Sequence, residues 1–311
     1  MDIHLLPFIV LFWFSVQGGA SHELLREEMY WQFMLPNTSM PKSLHDLIQP
    51  GNASTNVSGV LRNIDFVRPR PFRATYGVAY IGGDGSENVQ QISTIADSTT
   101  VYFLIDDLLP GKDMMLIFTK STNGSNFLPR KIAQTILFSS NDFSDILSYF
   151  LIEPKSNDAQ IMKETIEECE APGVKGEVKY CSTSLKSLVD FVVSKYGKKV
   201  EAFANEVEEE DKKQKYKILE GIKMMGDNQI VCHKMRYPYA VFYCHIILET
   251  RAYLVPLMGE DGSKAQAIVV CHMNTLTWNP MHLAFQILKV KPGGPPICHF
   301  LNSDTIVWVP N

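Results

Sequence analysis

The chain has 311 residues, of which 45% are hydrophobic and 20% charged, and its 29 basic and 34 acidic side chains give a formal net charge of -5. A chain of this length can bury one sizeable hydrophobic core or two modest ones. The acidic balance, with no block of Lys or Arg, excludes a nucleic-acid footprint and a polybasic membrane anchor. A mean hydropathy of -0.05 also excludes a polytopic membrane protein.

The first predicted element is a signal peptide. Residues 5–16 (LLPFIVLFWFSV) are mostly apolar, but this run is too short to cross a bilayer, which takes about 20 residues. Gly18, Gly19 and Ala20 then place small residues at the two positions that a signal peptidase recognises. We therefore expect residues 1–20 to be removed, the mature protein to be secreted and no transmembrane anchor to remain. The alternative is a buried N-terminal helix.

Residues 21–99 are expected to form a variable, loosely structured leader, because their apolar periodicity is poor and Gly, Ser, Asn and Pro are scattered through them. Within the leader, an apolar cluster at residues 29–37 (MYWQFMLPN) is expected to dock elsewhere on the protein, and residues 41–48 to form a short helical turn. Sequons for N-glycosylation indicate exposed positions in a secreted protein. They occur at Asn37, Asn52, Asn56 and Asn123.

From about residue 100 the chain becomes dense in signals of regular structure. Residues 101–105 and 114–118 predict strands, with a turn at residues 109–112 between them. Helices are predicted at residues 140–151, 156–168 and 182–196, each opened by a Ser that can cap the first turn. The third helix carries an apolar stripe that begins at Leu185, and Gly197 follows it as a left-handed C-cap.

After Gly197 the pattern changes to β-branched and aromatic residues separated by turn sequences. Strands are predicted at residues 199–207, 217–224, 239–250, 252–258, 265–273, 283–290 and 297–309. The charged run at residues 206–213 (EVEEEDKK) is expected to be a solvated loop. Helices followed by strands predict an α+β fold, with predominantly antiparallel β structure in the second half of the domain and stabilisation by disulfides.

The strongest signal is a set of four Cys-His dipeptides separated by 10, 25 and 25 residues. They are Cys232-His233, Cys244-His245, Cys271-His272 and Cys298-His299. Because neighbouring side chains of a strand point to opposite faces, one metal ion could not easily collect both members of a dipeptide. We therefore predict that the four sulfurs meet on one side as two disulfides while the four imidazoles converge on the other. A nitrogen-only array suits copper, zinc or nickel.

Two alternatives stay open for the dipeptides. A structural zinc cluster could use thiolates together with imidazoles, although its ligands usually lie two to four residues apart in a short hairpin, and an oxidising compartment favours disulfides. The imidazoles could instead only form hydrogen bonds inside a β core. Cys169 and Cys181 stand apart from the dipeptides, and the Gly-containing loop between them nominates a third disulfide.

The dipeptides at these spacings, with the closing segment at residues 306–310 (IVWVP), resemble the plant BURP-domain family. Further agreement lies at residues 102–104 and 107–112 (YFL and DLLPGK), 169–170 and 176–177 (CE and GE), 181–185 (CSTSL) and 237–245 (YPYAVFYCH). The resemblance identifies residues 100–311 as a BURP domain. Residues 30–42 also look like the short segment that follows the signal peptide in many members.

The resemblance implies a secreted plant protein of the cell wall, apoplast or vacuole, with cell-wall components as partners and no nucleic-acid partner. Subgroups of the family are associated with seed or pollen development and with responses to drought, salt and abscisic acid. We expect a role of this kind without an established catalytic activity. Some members are copper-dependent autocatalytic peptide cyclases. By that resemblance copper is the expected cofactor, and its expected ligands are His233, His245, His272 and His299.

The alternative function is a copper-dependent cyclase that crosslinks Tyr side chains in its own leader. The best substrate segment is residues 74–81 (ATYGVAYI), where the Tyr-Gly-Val at Tyr76 resembles part of one core type and Tyr80 offers a second phenol. The segment lacks the Gln-Pro that heads that core type and the aromatic residue that ends it, so it is more typical of an ordinary linker. His282, beside Trp278, matches no motif that assigns it a role.

Overall fold

The computed structural model describes residues 19–48, 100–120, 125–128, 130–173 and 176–311. The helices are α1 (Gly19–Met34), α2 (Lys42–Ile48), α3 (Arg130–Ala133), α4 (Phe143–Tyr149), α5 (Asn157–Glu170), α6 (Leu185–Tyr196) and α7 (Leu283–Leu288), with 3₁₀ turns at Ile105–Asp107 and Ser140–Asp142. None of the helices in these ranges combines the length and the hydropathy that a membrane span requires.

The described strands form two antiparallel sheets. They are β1 (Phe103–Leu104), β2 (Asp113–Leu116), β3 (Glu177–Ser182), β4 (Val200–Phe203), β5 (Glu206–Val207), β6 (Gln214–Ile218), β7 (Lys223–Asp227), β8 (Ile230–Lys234), β9 (Phe242–Ile247), β10 (Thr250–Gly259), β11 (Lys264–His272), β12 (Ile297–Phe300) and β13 (Ile306–Pro310). The eight-stranded sheet has the order β1-β12-β11-β10-β6-β2, with β5 paired to β11 and β7 to β10. The five-stranded sheet has the order β3-β9-β8-β13-β4.

The two sheets pack face to face through a layer of apolar side chains. This layer contains Val231, Val307 and Val309 from the five-stranded sheet and Ala252, Ile268 and Val270 from the eight-stranded sheet. Alternation along each strand turns the intervening residues to the outer faces. The outer face of the eight-stranded sheet is covered by its own apolar cluster, in which Phe103, Phe118 and Tyr216 are fully or nearly fully buried.

The outer face of the five-stranded sheet is covered by helix α6. Its stripe of Leu185, Leu188, Val189 and Val192 is buried against the sheet, as the helical spacing predicted. Ser184 accepts a hydrogen bond from the Ser187 amide in a capping box, and Gly197 ends the helix with a φ of 73°. Helices α4 and α5 build a further cluster around Tyr237 and Tyr239, and Ser156 caps α5 as expected.

The apolar cluster of the leader docks on this same face. Trp31, Leu35 and Leu44 are buried there, and the Trp31 ring lies 5.4 Å from the ring of Trp308 in β13. Each such burial stabilises the docked state by roughly 1.5–3 kcal/mol. The Thr38 hydroxyl donates a hydrogen bond to the Val200 carbonyl, which ties the segment to β4. The expected docking of residues 29–37 and the short helix after them are both confirmed.

Several predicted elements differ from the observed ones. The strand predicted at residues 283–290 is wrong, because this segment forms α7 with Ala284, Phe285 and Leu288 facing the core at helical spacing. The strand predicted at residues 297–309 is two strands that belong to different sheets. Strand β8 was not predicted. The first two residues of the charged run, Glu206 and the half-buried Val207, pair with β11 as β5, while residues 208–213 are exposed.

The α+β class and the disulfide-stabilised, mostly antiparallel second half are confirmed. Other predictions lie outside the described residues. Residues 1–18 of the signal peptide, Tyr76, Tyr80 and the sequons at Asn52, Asn56 and Asn123 fall there. Asn37 is described and its side chain is exposed.

Candidate functional site

The cysteines of the dipeptides are paired across adjacent strands. Cys232 lies opposite Cys244 in the β8–β9 register, and the two form a disulfide with a Cα–Cα distance of 3.9 Å. Cys271 lies opposite Cys298 in the β11–β12 register and forms the second, at 4.0 Å. The third disulfide joins Cys169 to Cys181, as nominated. All six sulfurs are thereby consumed, so the alternative of a zinc-thiolate cluster is wrong.

One part of the predicted arrangement needs correction. The two disulfides of the dipeptides do not meet on one side of one layer, because they belong to different sheets. Cys232 and Cys244 lie in the cluster under α6, on the outer face of the five-stranded sheet. Cys271 and Cys298 lie on the outer face of the eight-stranded sheet. The alternation predicted for each dipeptide holds, and it turns the histidines of both sheets inward.

The four histidines form two diagonal pairs. In the five-stranded sheet, His233 lies opposite Tyr243 and His245 opposite Val231, so their rings meet across the ladder with 3.2 Å between the two Nε2 atoms. In the eight-stranded sheet, the Nε2 atoms of His272 and His299 are 3.3 Å apart in the equivalent register. Two nitrogens bound to one tetrahedral ion at about 2.0–2.1 Å would lie roughly 3.3–3.4 Å apart. Each pair therefore has the separation of one edge of such a site.

Both pairs line a single cleft between the sheets. Its walls are completed by side chains of Gln229, Val231, Ile247, Thr250, Val270 and Leu301. The enclosed space is about 10 Å³, enough for one water-sized or ion-sized occupant. Within the described ranges, no three His, Cys, Asp or Glu side chains are gathered in the geometry of a metal-binding group. The cleft thus offers two pairs of nitrogen ligands, each spaced as one edge of a tetrahedral site, rather than a closed four-ligand site.

Burial keeps three of these imidazoles, those of His233, His272 and His299, neutral. It lowers the pKa of His233 and of His272 well below the usual 6.5, and the proximity of the other rings of the cleft lowers them further. Burial also lowers the pKa of His299 to about 4, although a hydrogen bond to the Phe300 carbonyl opposes the shift. The neutral imidazole is the form that binds a metal ion, so these rings are ready to do so at pH 7.

A buried carboxylate orients the first pair. The Glu177 side chain is 4% exposed, and its Oε1 accepts hydrogen bonds from His245 Nδ1 and from the Tyr243 hydroxyl, both at 2.8 Å. Because a carboxylate oxygen can only accept, His245 Nδ1 is the donor in this contact, and its Nε2 faces His233. The Thr305 hydroxyl lies 3.5 Å from His233 Nδ1. Burial and Glu177 raise the pKa of Tyr243, which therefore stays a neutral donor.

The second pair lies among aromatic side chains. The two rings are stacked with centroids 5.5 Å apart, and the Trp278 ring lies 4.8 Å from that of His272. His299 Nδ1 donates to the Phe300 carbonyl at 3.3 Å, which again leaves its Nε2 as an acceptor. The ring of Tyr102 approaches His299 at 6.0 Å. Burial raises the pKa of Tyr102 to about 12, so this phenol is neutral.

Sequence reasoning missed several residues of the site. In the sequence, Glu177 stands out only as part of a family pattern, and Gln229 and Thr305 do not stand out at all. No local pattern marks them, because each reaches the cleft from another strand or loop. His282 is now explained as a helix cap, since its Nδ1 accepts a hydrogen bond from the Ala284 amide at 3.1 Å at the start of α7.

The sequence is similar to that of several known proteins. The family model of the BURP domain matches residues 101–310. BURP domain protein RD22 of Arabidopsis thaliana is 50% identical over 218 residues, which are 68% of this chain and 56% of that protein. BURP domain-containing protein 5 of Oryza sativa subsp. japonica is 39% identical over 300 residues, which are 94% of this chain and 90% of that protein.

A further rice relative, BURP domain-containing protein 3, is 44% identical over 217 residues, which are 68% of this chain and 51% of that protein. The chain therefore spans about half the length of RD22 and of protein 3, but nearly all of protein 5. All three similar proteins come from plants.

Proposed function

Since this chain belongs to the BURP-domain family, we propose that it is a secreted plant protein of the cell wall, apoplast or vacuole that acts in development and abiotic-stress responses. We propose further that its four-histidine cleft binds one copper ion there. The similarity to RD22 and to the rice proteins supports the general role. The observation that carries the copper site is the pair of inward-facing imidazole edges, one on each sheet.

The donor set fits copper. His233, His245, His272 and His299 offer nitrogen atoms alone, and divalent copper binds imidazole more tightly than other first-row metals do. Three of the four rings have pKa values lowered by burial, so no proton has to be displaced from them at neutral pH. A bound copper ion would supply one-electron redox chemistry. The chain itself holds the rings through Glu177 and the Phe300 carbonyl, and the apolar walls limit the entry of water.

Secretion is supported by the cysteines. Three disulfides, formed by all six cysteines, are typical of proteins that fold in an oxidising compartment. The apolar run and small residues within residues 1–20 supply the signal. Cell-wall components are the proposed partners.

Copper binding is tested on the purified full-length protein after treatment with a chelator. We expect one copper ion per chain to remain after desalting at pH 7, measured by elemental analysis and by calorimetric titration. The matched control replaces His282, a buried histidine that caps a helix, by Gln and should retain the ion. If wild-type protein retains no copper, or if a His233→Gln and His245→Gln double variant retains as much, the site is disproved.

Localisation and cyclase activity need separate measurements. Expression of the tagged chain in plant cells should yield a wall or vacuolar protein that begins at Ser21, whereas a chain without residues 1–20 should remain in the cytoplasm.

Mass spectrometry after aerobic incubation with copper should show unchanged peptides. Loss of two hydrogens from the peptide that contains Tyr76 and Tyr80 would instead favour the copper-dependent cyclase, and normal drought and salt tolerance of plants lacking the protein would argue against a stress role.

A further inference from the structure

Gln229 is a buried polar residue of the cleft that the proposed copper site does not use. It immediately precedes β8, its side chain lines the same cleft as the four histidines, and only 1% of the residue is exposed. A buried amide normally has hydrogen-bond partners for both its oxygen and its nitrogen. The partners of Gln229 therefore indicate what the cleft is built to hold.

The orientation of the Gln229 amide is fixed by its neighbour. Thr250 Oγ1 lies 2.7 Å from the Ile247 carbonyl, which can only accept, so the Thr250 hydroxyl donates its proton there. Thr250 Oγ1 can then only accept from Gln229, at 3.2 Å, and the amide nitrogen must be the group that faces it. The amide oxygen, Gln229 Oε1, is therefore the atom that points away from Thr250. It has no hydrogen-bond partner among the described residues.

The lining of the cleft restricts what can approach that oxygen. Val231, Ile247, Val270 and Leu301 supply apolar walls, and the Thr250 hydroxyl already donates elsewhere. An amide oxygen is an uncharged hydrogen-bond acceptor, so its ligand must carry a hydrogen-bond donor. The apolar walls disfavour an anion. The space of about 10 Å³ admits a molecule of the size of water and nothing much larger.

The geometry points to a binding position in the cleft at which Gln229 Oε1 accepts a hydrogen bond from one water-sized neutral ligand. This position follows from the protein alone and does not depend on the proposed copper site. Because the space of about 10 Å³ holds a single occupant of that size, the ligand and a metal ion cannot share it. Gln229 therefore marks the cleft of the metal-free protein as the place of one bound water-sized molecule.

The first test uses metal-free protein. Gln229→Met removes the amide at similar length, and Gln214→Met is its matched control, because the Gln214 amide is buried in β6 with partners for both its nitrogen and its oxygen. Magnetic relaxation dispersion of the oxygen nuclei of water measures the number of long-lived internal water molecules. We expect Gln229→Met to lose one such water and Gln214→Met to lose none. An unchanged count in Gln229→Met would overturn the inference.

The second test needs no variant. In wild-type protein, nuclear Overhauser effects should connect long-lived water to the Gln229 side chain, and their absence would contradict the assignment even if Gln229→Met did not fold. Failure of copper to bind would refute the copper site alone, because the measurements on metal-free protein still decide the role of Gln229.

Discussion

The two histidine pairs have the same backbone geometry but different surroundings. Each pair is diagonal across an antiparallel ladder, and a cross-strand disulfide lies directly behind it on the outer face of its sheet. In the five-stranded sheet, a buried carboxylate from Glu177 orients His245. In the eight-stranded sheet, a backbone carbonyl orients His299, and Trp278 packs against His272.

This difference shows which property each level of structure controls. The repeated dipeptide fixes the separation of the two Nε2 atoms, which is nearly equal in the two pairs. Residues from distant segments fix the charge around each pair. A carboxylate raises the basicity of an imidazole ligand more than a neutral carbonyl does. We therefore expect the pair in the five-stranded sheet to contribute more to the binding of the ion than its counterpart does.

The largest effect should come from removing a whole pair. His233→Gln with His245→Gln should weaken copper binding on the order of 1000-fold, because even the loss of one outer partner of a ligand costs roughly 10–100-fold. His272→Gln with His299→Gln should cost about tenfold less, since a neutral backbone carbonyl orients His299 where the Glu177 carboxylate orients His245. Calorimetric titration measures both. Equal losses would remove the proposed inequality, and a larger loss from the second double variant would reverse it.

Removal of the disulfides tests whether the geometry common to the two histidine pairs depends on the covalent link behind each pair. In the chain-entropy treatment, replacing Cys232 and Cys244 by Ala should lower the free energy of unfolding by about 3 kcal/mol for a sequence separation of 12, and replacing Cys271 and Cys298 by about 3.5 kcal/mol for a separation of 27. Urea denaturation measures the values. Both variants should also lose copper affinity.

The disulfide between Cys169 and Cys181 is the matched control, because its sequence separation is also 12 and it lies behind no histidine pair. Its replacement by two Ala residues should cost a similar free energy of unfolding and leave copper affinity unchanged. Weakened copper binding in this control would mean that global stability, rather than the local ladder, holds the imidazoles in place.

Glu177→Gln should convert the first pair into an analogue of the second. Copper affinity should fall roughly 10–100-fold, as for other residues that orient a ligand. The Nδ1–H proton resonance of His245 in metal-free protein should move upfield, because a neutral amide oxygen accepts a weaker hydrogen bond than a carboxylate does, a change that simple destabilisation would not produce. Glu168→Gln is the control, since this half-buried carboxyl lies near Glu177, whereas the hydrogen bond from His245 Nδ1 goes to Glu177. Normal affinity in Glu177→Gln would show that the carboxylate does not distinguish the pairs.

The last prediction concerns the pH dependence of stability in metal-free protein. A histidine whose pKa is lowered on folding contributes stability above about pH 6.5 that is lost as the pH falls toward its folded value, because the unfolded chain binds the proton first. For His299 this window runs from 6.5 to about 4, with a slope of roughly 1.4 kcal/mol per pH unit per histidine.

Since burial also lowers the pKa of His272 and of His233, His272→Gln with His299→Gln should remove about twice the slope that His233→Gln removes. Thermal denaturation between pH 7 and pH 4 gives the three slopes. Identical slopes in wild-type and double-variant protein would contradict the burial of the second pair.

Local patterns in the sequence were sufficient for much of the fold. The stripe from Leu185 to Val192 predicted α6 because helical periodicity needs only neighbouring residues. Alternation around Cys244 likewise predicted which side chains share a face, and the disulfides and the convergent imidazoles agree with it. Residues 283–290 were mispredicted because short apolar runs do not distinguish a strand from a short helix, and here the cap by His282 decides.

The sequence by itself determined the class of the fold, the opposition of sulfur and imidazole within each dipeptide and the candidate ligands, because these depend on the period of a strand and on residue chemistry. Only the tertiary structure decided that the dipeptides divide between two sheets, that the imidazoles meet as two pairs and that Glu177 and Gln229 reach them. Those features depend on which distant strands become neighbours, and no short-range pattern carries that information.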